Sequence, residues 1–159
     1  MKIEELIGKK VFLTIVIFTY CFLFIFCTPD KSCHNTNTLE IRNIDNNKVL
    51  GKWQLDEYDE FTIEFIHSVN QSPVRETFQL VDGRIRLKSV RFYSLGVGMG
   101  DLTEGQELSR DGDAMIISGF NSSFKELNLI TGSATNHALF IKNEIINLQK
   151  NTHIIILYR

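Results

Sequence analysis

Apolar and polar residues alternate in short runs along most of the chain after residue 38. Ten such runs recur roughly every 8–14 residues, and turn-forming pairs such as Asp82–Gly83 separate most of them. The runs are Leu39–Arg42, Val49–Leu55, Glu60–His67, Val74–Val81, Arg84–Tyr93, Asp113–Ser118, Leu127–Thr131, Ala138–Lys142, Ile145–Leu148 and Ile154–Tyr158. None of them keeps the 3.6-residue period of an amphipathic helix. The pattern predicts an all-β fold, a single antiparallel sandwich or barrel of about eight to ten strands.

A continuous apolar run, Val11–Cys27, precedes these strands and contains no charged residue. As a helix it would extend about 25 Å, close to the thickness of a bilayer core. Lys9 and Lys10 lie directly before it, so the positive-inside rule keeps the N-terminus in the cytoplasm. We expect a single-pass protein of the cell membrane, with a cytoplasmic N-terminus, a transmembrane helix, a stalk and an extracytoplasmic β domain at residues 1–10, 11–27, 28–38 and 39–159. The alternative is a signal peptide and a secreted domain, but the run ends without the small residues of a cleavage site.

Composition and charge narrow the classes of partner. The net charge is −2 and the sequence pI is near 6.1, which argues against a nucleic-acid-binding protein. Two of the three cysteines lie in the apolar run, so Cys33 has no partner for a disulfide in the domain. Any binding or catalytic site of the domain would therefore have to be built from its polar side chains rather than from a basic surface or a disulfide.

The third and fourth runs form a hairpin that carries two ionisable residues on otherwise apolar faces. His67 ends the face of the third run, and Glu76 lies in the face of the fourth. If the loop is Ser68–Pro73, Phe65 lies opposite Glu76, and His67 becomes a diagonal neighbour of Glu76 at about 7–8 Å between Cα atoms. Such a pair would have to satisfy its own hydrogen bonds, either as a clamp within the core or as part of a binding site.

The residues around this pair indicate neither a metal site nor catalysis. The other three histidines show no ligand spacing with His67, so no metal and no cofactor are expected. Ser68 lacks the Gly-x-Ser-x-Gly setting of an activated nucleophile. We therefore expect no enzyme; a hydrolase with His67 and Glu76 as acid and base is the weakest alternative, and it requires an open cleft.

Two further segments have distinctive patterns. The segment SLGVGMGD places Gly96 and Gly98 at alternate positions, but no helix-forming stretch follows, so a nucleotide site is excluded in favour of a loop that approaches a neighbour or a ligand closely. The run Arg84–Tyr93 is basic, which predicts a charged edge strand or a docking edge for an acidic partner. Its alternation shifts near Ser89, which predicts a β-bulge.

Several of these motifs together resemble the bacterial DUF1850 family, over most of residues 39–159. The resemblance is carried by His67–Ser68–Val69, Pro73–Val74–Arg75–Glu76, Phe92, Gly96–Val97–Gly98 and Thr135–Asn136–His137. The chain carries Asn70 and Gly100 where many members have Glu and Pro. Members are small exported or membrane-anchored proteins, often encoded beside the membrane subunit of TRAP-type (TAXI) solute transporters. The resemblance thus implies an accessory that contacts the transporter's permease or its solute-binding protein.

The resulting hypothesis is an anchored binding domain whose recognition site is lined or braced by a small set of polar and glycine residues. These residues are His67, Ser68, Glu76, Gly96, Gly98 and His137. The alternative is a stand-alone module that binds a small ligand in a cavity under the hairpin.

Overall fold

The computed structural model describes residues 37–94 and 101–159. These residues form twelve β-strands. The strands are β1 Thr38–Asn43, β2 Val49–Gln54, β3 Glu60–Ile66, β4 Pro73–Val81, β5 Arg84–Phe92, β6 Glu107–Asp111, β7 Ala114–Ser118, β8 Ser123–Phe124, β9 Glu126–Ile130, β10 Ala138–Ile141, β11 Glu144–Asn147 and β12 His153–Tyr158. Among the described residues, no helix is long and apolar enough to cross a membrane. The expected transmembrane helix at residues 11–27 lies outside them, as does nearly all of the stalk.

The strands form two sheets, and every pairing is antiparallel. The small sheet has the order β2-β1-β12-β9, and the large sheet has the order β11-β10-β3-β4-β5-β7-β6, with β8 added beside β5. The prediction of an all-β antiparallel fold is confirmed, and the two sheets pack in a sandwich-like arrangement. The first and last strands of the described chain pair along their length, from Leu39 opposite Tyr158 to Asn43 opposite Ile154.

Alternate residues of both sheets meet in one main hydrophobic core. The small sheet contributes Leu39, Ile41, Ile154 and Ile156, and all four are fully buried. The large sheet contributes Phe61, Ile63, Phe78, Leu80, Ile85, Leu139 and Ile141. A second cluster, Val74, Phe92, Met115 and Ile117, lies at one end of the large sheet. The period-two alternation of the sequence thus places these side chains on the faces of the two sheets that meet in the core.

The expected number of strands was too low, because two strands lack the pattern that marks the others. All five residues of β6 are exposed, so this strand has no apolar face. The strand β8 is only two residues long, too short to show an alternation. Each of the ten predicted runs overlaps one of the other ten strands.

The basic strand β5 is an interior strand, so the prediction of an edge was wrong. It pairs with β4 on one side and with β7 and β8 on the other. Three of its four basic side chains have local partners: Arg84 donates to Ser123, Lys88 to Glu60 and Arg91 to Asp111. The predicted bulge is confirmed, because Thr77 pairs with Ser89 and Phe78 with Leu87, which leaves Lys88 unpaired in the ladder.

Candidate functional site

The register of the β3–β4 hairpin differs from the predicted one by two residues. Phe65 lies opposite Val74, and Ile63 lies opposite Glu76. The His67 N–H donates to the Ser72 carbonyl at 2.9 Å, so the turn closes between these two residues. His67 is therefore four positions along the strand from the residue opposite Glu76, about 13 Å away at strand spacing. The prediction of a diagonal His67–Glu76 pair was wrong, and the acid–base pairing of the hydrolase alternative loses its geometric basis.

Glu76 is a half-buried carboxyl in an apolar layer. It lies between Ile63 on β3 and Val90 on β5, with Val74 and Phe78 as its neighbours on the same face of β4. No group of the described residues donates a hydrogen bond to its carboxylate or forms an ion pair with it. Burial raises the pKa of Glu76, because the surroundings disfavour the charged form.

His137 is a buried histidine on the same face of the large sheet. The residue is 8% exposed, and its ring stacks on Phe65 with centroids 5.5 Å apart and an interplanar angle of 22°. The Nδ1 atom lies 3.3 Å from the Thr135 hydroxyl. Burial lowers the pKa of His137, so the neutral imidazole is favoured. The histidine that packs against the β3–β4 hairpin is thus His137 and not His67. The pairing of β10 with β3 brings it next to Phe65.

Among the described residues no ion pair joins Glu76 to His137, and the directions of their pKa shifts agree with this. An ion pair would lower the pKa of the glutamate and raise that of the histidine. Burial moves both in the opposite direction. Burial therefore shifts each side chain toward its neutral form.

His67 and Ser68 occupy the tip of the hairpin. His67 is half-buried, and its Nδ1 atom lies 3.4 Å from the Val69 N–H, a weak contact within the turn. Ser68 is exposed, and its carbonyl accepts a hydrogen bond from the Gln71 side chain at 2.6 Å. Within the described residues the Ser68 hydroxyl contacts no base, so it is a surface group of the loop.

The tip is tied to the end of β5 by Asn70. Its Nδ2 donates to the Ser94 carbonyl at 3.3 Å, and its Oδ1 accepts from the Ser72 hydroxyl at 2.9 Å. Ser94 directly precedes the glycine segment, whose residues Gly96 and Gly98 lie outside the described residues. In the sequence Asn70 stood out only as a departure from the family's usual Glu, and the pattern did not predict this contact, because Ser94 is distant in the chain.

Residues 65–73, 92–94 and 135–138 lie at one end of the large sheet, and we call this region the hairpin end. It brings together residues 67–69, Phe92 and residues 135–137, and Glu76 lies just inside it. Val74 pairs with Phe92 at this end, and the second hydrophobic cluster supports it. Segments far apart in sequence therefore meet on one surface.

Two clefts of the described part lie on the outer faces of the sheets, away from the hairpin tip. One, of about 360 Å³, lies on the small sheet beside Glu40, Lys52 and Trp53. The other, of about 350 Å³, lies on the large sheet between Thr62 and Arg91. Neither is lined by His67, Glu76 or His137. Residues 37–94 and 101–159 also contain no group of three or more His, Cys, Asp or Glu side chains that could hold a metal ion.

The chain matches a known protein family. The family model of DUF1850, a domain of unknown function, matches residues 61–148, more than half of the chain. The chain belongs to the DUF1850 family. No curated protein and no solved structure gave a significant match.

The DUF1850 match is narrower than the expected resemblance over residues 39–159. It begins at the second residue of β3 and ends just after β11, so it contains all of the large sheet except Glu60. Three of the four strands of the small sheet, β1, β2 and β12, lie outside it. The hairpin end falls entirely within the DUF1850 match, whereas much of the opposing wall of the core does not.

Proposed function

We propose that this DUF1850 protein is a non-catalytic binding domain that contacts a partner protein through its hairpin end. The observation that carries the proposal is the convergence of the hairpin tip, the end of β5 and the Thr135–His137 segment on one surface of the large sheet. Residues of a catalytic pair would have to meet in one cleft, but the hairpin register separates His67 from Glu76.

Two exposed apolar side chains on this surface favour a protein partner. Val69 at the tip is 75% exposed, and Tyr93 at the end of β5 is 41% exposed. Asn70 connects the loop of the first to the strand end of the second. Aromatic residues and protruding apolar groups are typical of protein contact surfaces. In this proposal His67 and Ser68 line the surface, and His137 braces it through Phe65.

The finer part of the proposal concerns the partner and the place of action. The protein is held in the cell membrane by residues 11–27, with its β domain on the extracytoplasmic side, and assists a TRAP-type transporter by contacting the permease or the solute-binding protein. The apolar run and the family resemblance support this part.

Site-specific photo-cross-linking tests the proposal. The full chain is expressed in its native membrane with a photoreactive amino acid at Val69, and adducts are identified by mass spectrometry. Position 130 is the matched control, because Ile130 is 69% exposed but lies on β9 of the small sheet.

We expect transporter subunits to be captured from position 69 and not from position 130. Equal yields from both positions would contradict the siting at the hairpin end. Adducts from position 69 that contain no transporter subunit would contradict the transporter part of the proposal alone.

A further inference from the structure

The cleft on the outer face of the large sheet is a trough with a floor of hydroxyl groups. Thr62, Thr77 and Ser89 lie side by side on β3, β4 and β5, because the register pairs Thr62 with Thr77 and Thr77 with Ser89. The two threonine hydroxyls lie 3.1 Å apart. These side chains are short, whereas the next row carries Arg75 and Arg91, so the row of hydroxyls forms a depression of about 350 Å³.

Two arginines line this trough from directly opposed positions. Arg75 and Arg91 are register partners on β4 and β5. Like charges in such positions repel each other, so their pairing in the sheet needs compensation. Glu64 forms an ion pair with Arg75, and Asp111 forms one with Arg91. Neither carboxylate lines the trough. Among its described lining residues, the charged groups are thus both cationic.

Both guanidinium groups retain unused donors. Arg75 uses its Nε for Glu64, and Arg91 uses Nη1 for Asp111 at 2.6 Å and Nε for Tyr93 at 3.4 Å. A guanidinium has five N–H groups. Within the described residues, both Nη groups of Arg75 and the Nη2 of Arg91 donate no hydrogen bond, so they can donate to a ligand.

The trough also has an apolar part. Phe140 and Ile116 line it, and the Arg75 guanidinium lies over the Phe140 ring at 5.6 Å from the centroid. This contact orients Arg75 in addition to its ion pair. The volume is at the lower end of that of small-molecule sites.

We propose that this trough binds a small organic anion. Its carboxylate or phosphate group accepts hydrogen bonds from Arg75, Arg91 and the hydroxyl floor, and its apolar part contacts Phe140 and Ile116. None of the residues that line the trough belongs to the hairpin end, although Arg91 contacts Tyr93. The trough therefore adds a ligand to the binding domain rather than a second description of the protein contact.

Direct titration tests this assignment. The full chain in detergent is titrated with benzoate and with phenyl phosphate, and binding is followed by ligand-observed NMR and calorimetry. Tighter binding of one probe identifies which anionic group the site takes. Acetate and inorganic phosphate are the probes without an apolar part, and we expect them to bind at least several-fold more weakly.

Three variants of the trough and one control variant locate the binding. We expect Arg91→Gln and Arg75→Gln each to weaken binding of the better probe about tenfold, because each removes a charge-assisted donor. Arg86→Gln is the matched control: it removes the same charge from an exposed position of β5 that does not line the trough. Circular dichroism checks that every variant is folded. Thr77→Val leaves all charges in place and should weaken binding severalfold through the floor alone.

The proposal is overturned if neither aromatic probe binds at millimolar concentration. It is also overturned if Arg86→Gln weakens binding as much as Arg91→Gln, because the effect would then be one of overall charge. Acetate binding as tightly as benzoate would contradict the role of Phe140 and Ile116.

Discussion

Glu76 and His137 show how burial acts on single residues of this protein. Both side chains lie on the core face of the large sheet, and burial raises the pKa of Glu76 and lowers that of His137. The position of Glu76 on an apolar face was visible in the alternation of the sequence, whereas His137 stood out only through the family motif Thr135–Asn136–His137. The choice of partner was not, because it depends on which strand lies next to β3, and that strand, β10, begins more than seventy residues after β3 ends.

The Glu76 carboxyl should reduce stability at neutral pH. Its pKa is raised on folding, so the folded state binds the proton more tightly, and stability falls as the pH rises from the unfolded value of 4.5 through the folded pKa. We expect Glu76→Gln to raise the free energy of unfolding by roughly 1 kcal/mol at pH 7 and to have little effect near pH 4. Chemical unfolding of the full chain at both pH values measures this.

Glu104→Gln is the control for this prediction, because Glu104 is exposed. We expect it to leave the unfolding free energy nearly unchanged at both pH values. A loss of stability in Glu76→Gln at pH 7 would show that the carboxylate is stabilised by a partner, contrary to the raised pKa.

At the scale of elements, the two-residue turns follow directly from local chemistry. Asp82 and Gly83 connect β4 to β5 with φ values of 52° and 68°, the left-handed pair of a type I′ hairpin turn. The Asp-Gly sequence predicted this turn without any knowledge of the sheet. By contrast, the strand β6 has no apolar face, and only its pairing with β7 makes it a strand.

Gly83→Ala should lower the free energy of unfolding by about 1 kcal/mol. A Cβ at this position meets no atom within 4 Å, so the expected loss comes from the left-handed backbone alone. Asp82→Asn is the control, since asparagine tolerates the same conformation, and it should change stability by less than about 0.5 kcal/mol. Equal losses in both variants, measured by chemical unfolding, would argue against a backbone cause.

The register across the longer β3–β4 connection is not determined by the local sequence pattern. A slip of two residues keeps every side chain on its own face, because the period of a strand is two. The predicted and observed registers therefore satisfy the same alternation. The stack of Phe61 on Phe78, with centroids 5.2 Å apart, and the Asn70–Ser94 bond belong to the observed register.

At the scale of the whole molecule, the core depends on strands from the two ends of the described chain. β1 and β12 provide the small-sheet wall of the core, and both lie outside the DUF1850 match. The matched segment alone would leave the core face of β3, β4 and β10 without Leu39, Ile41, Ile154 and Ile156. The family region thus carries the proposed sites, and the terminal strands supply much of its stability.

Ile156→Ala tests this division. Ile156 is fully buried in the main core, and we expect its truncation to cost about 3 kcal/mol. Ile155→Ala is the matched control on the same strand, because Ile155 points to the other face and is only partly buried. We expect it to cost clearly less, as measured by thermal or chemical unfolding of the full chain. Equal costs would contradict the role assigned to β12 in closing the core.

The sequence by itself determined the all-β class, ten of the twelve strands, the bulge in β5 and the family, because alternation, turn residues and short motifs are local properties of the chain. The tertiary structure decided the hairpin register, the partner of Phe65, the interior place of β5 and the trough between Arg75 and Arg91. These features depend on which strands become neighbours. Strand neighbours are chosen by burial of the whole core, and no short segment of the sequence contains that information.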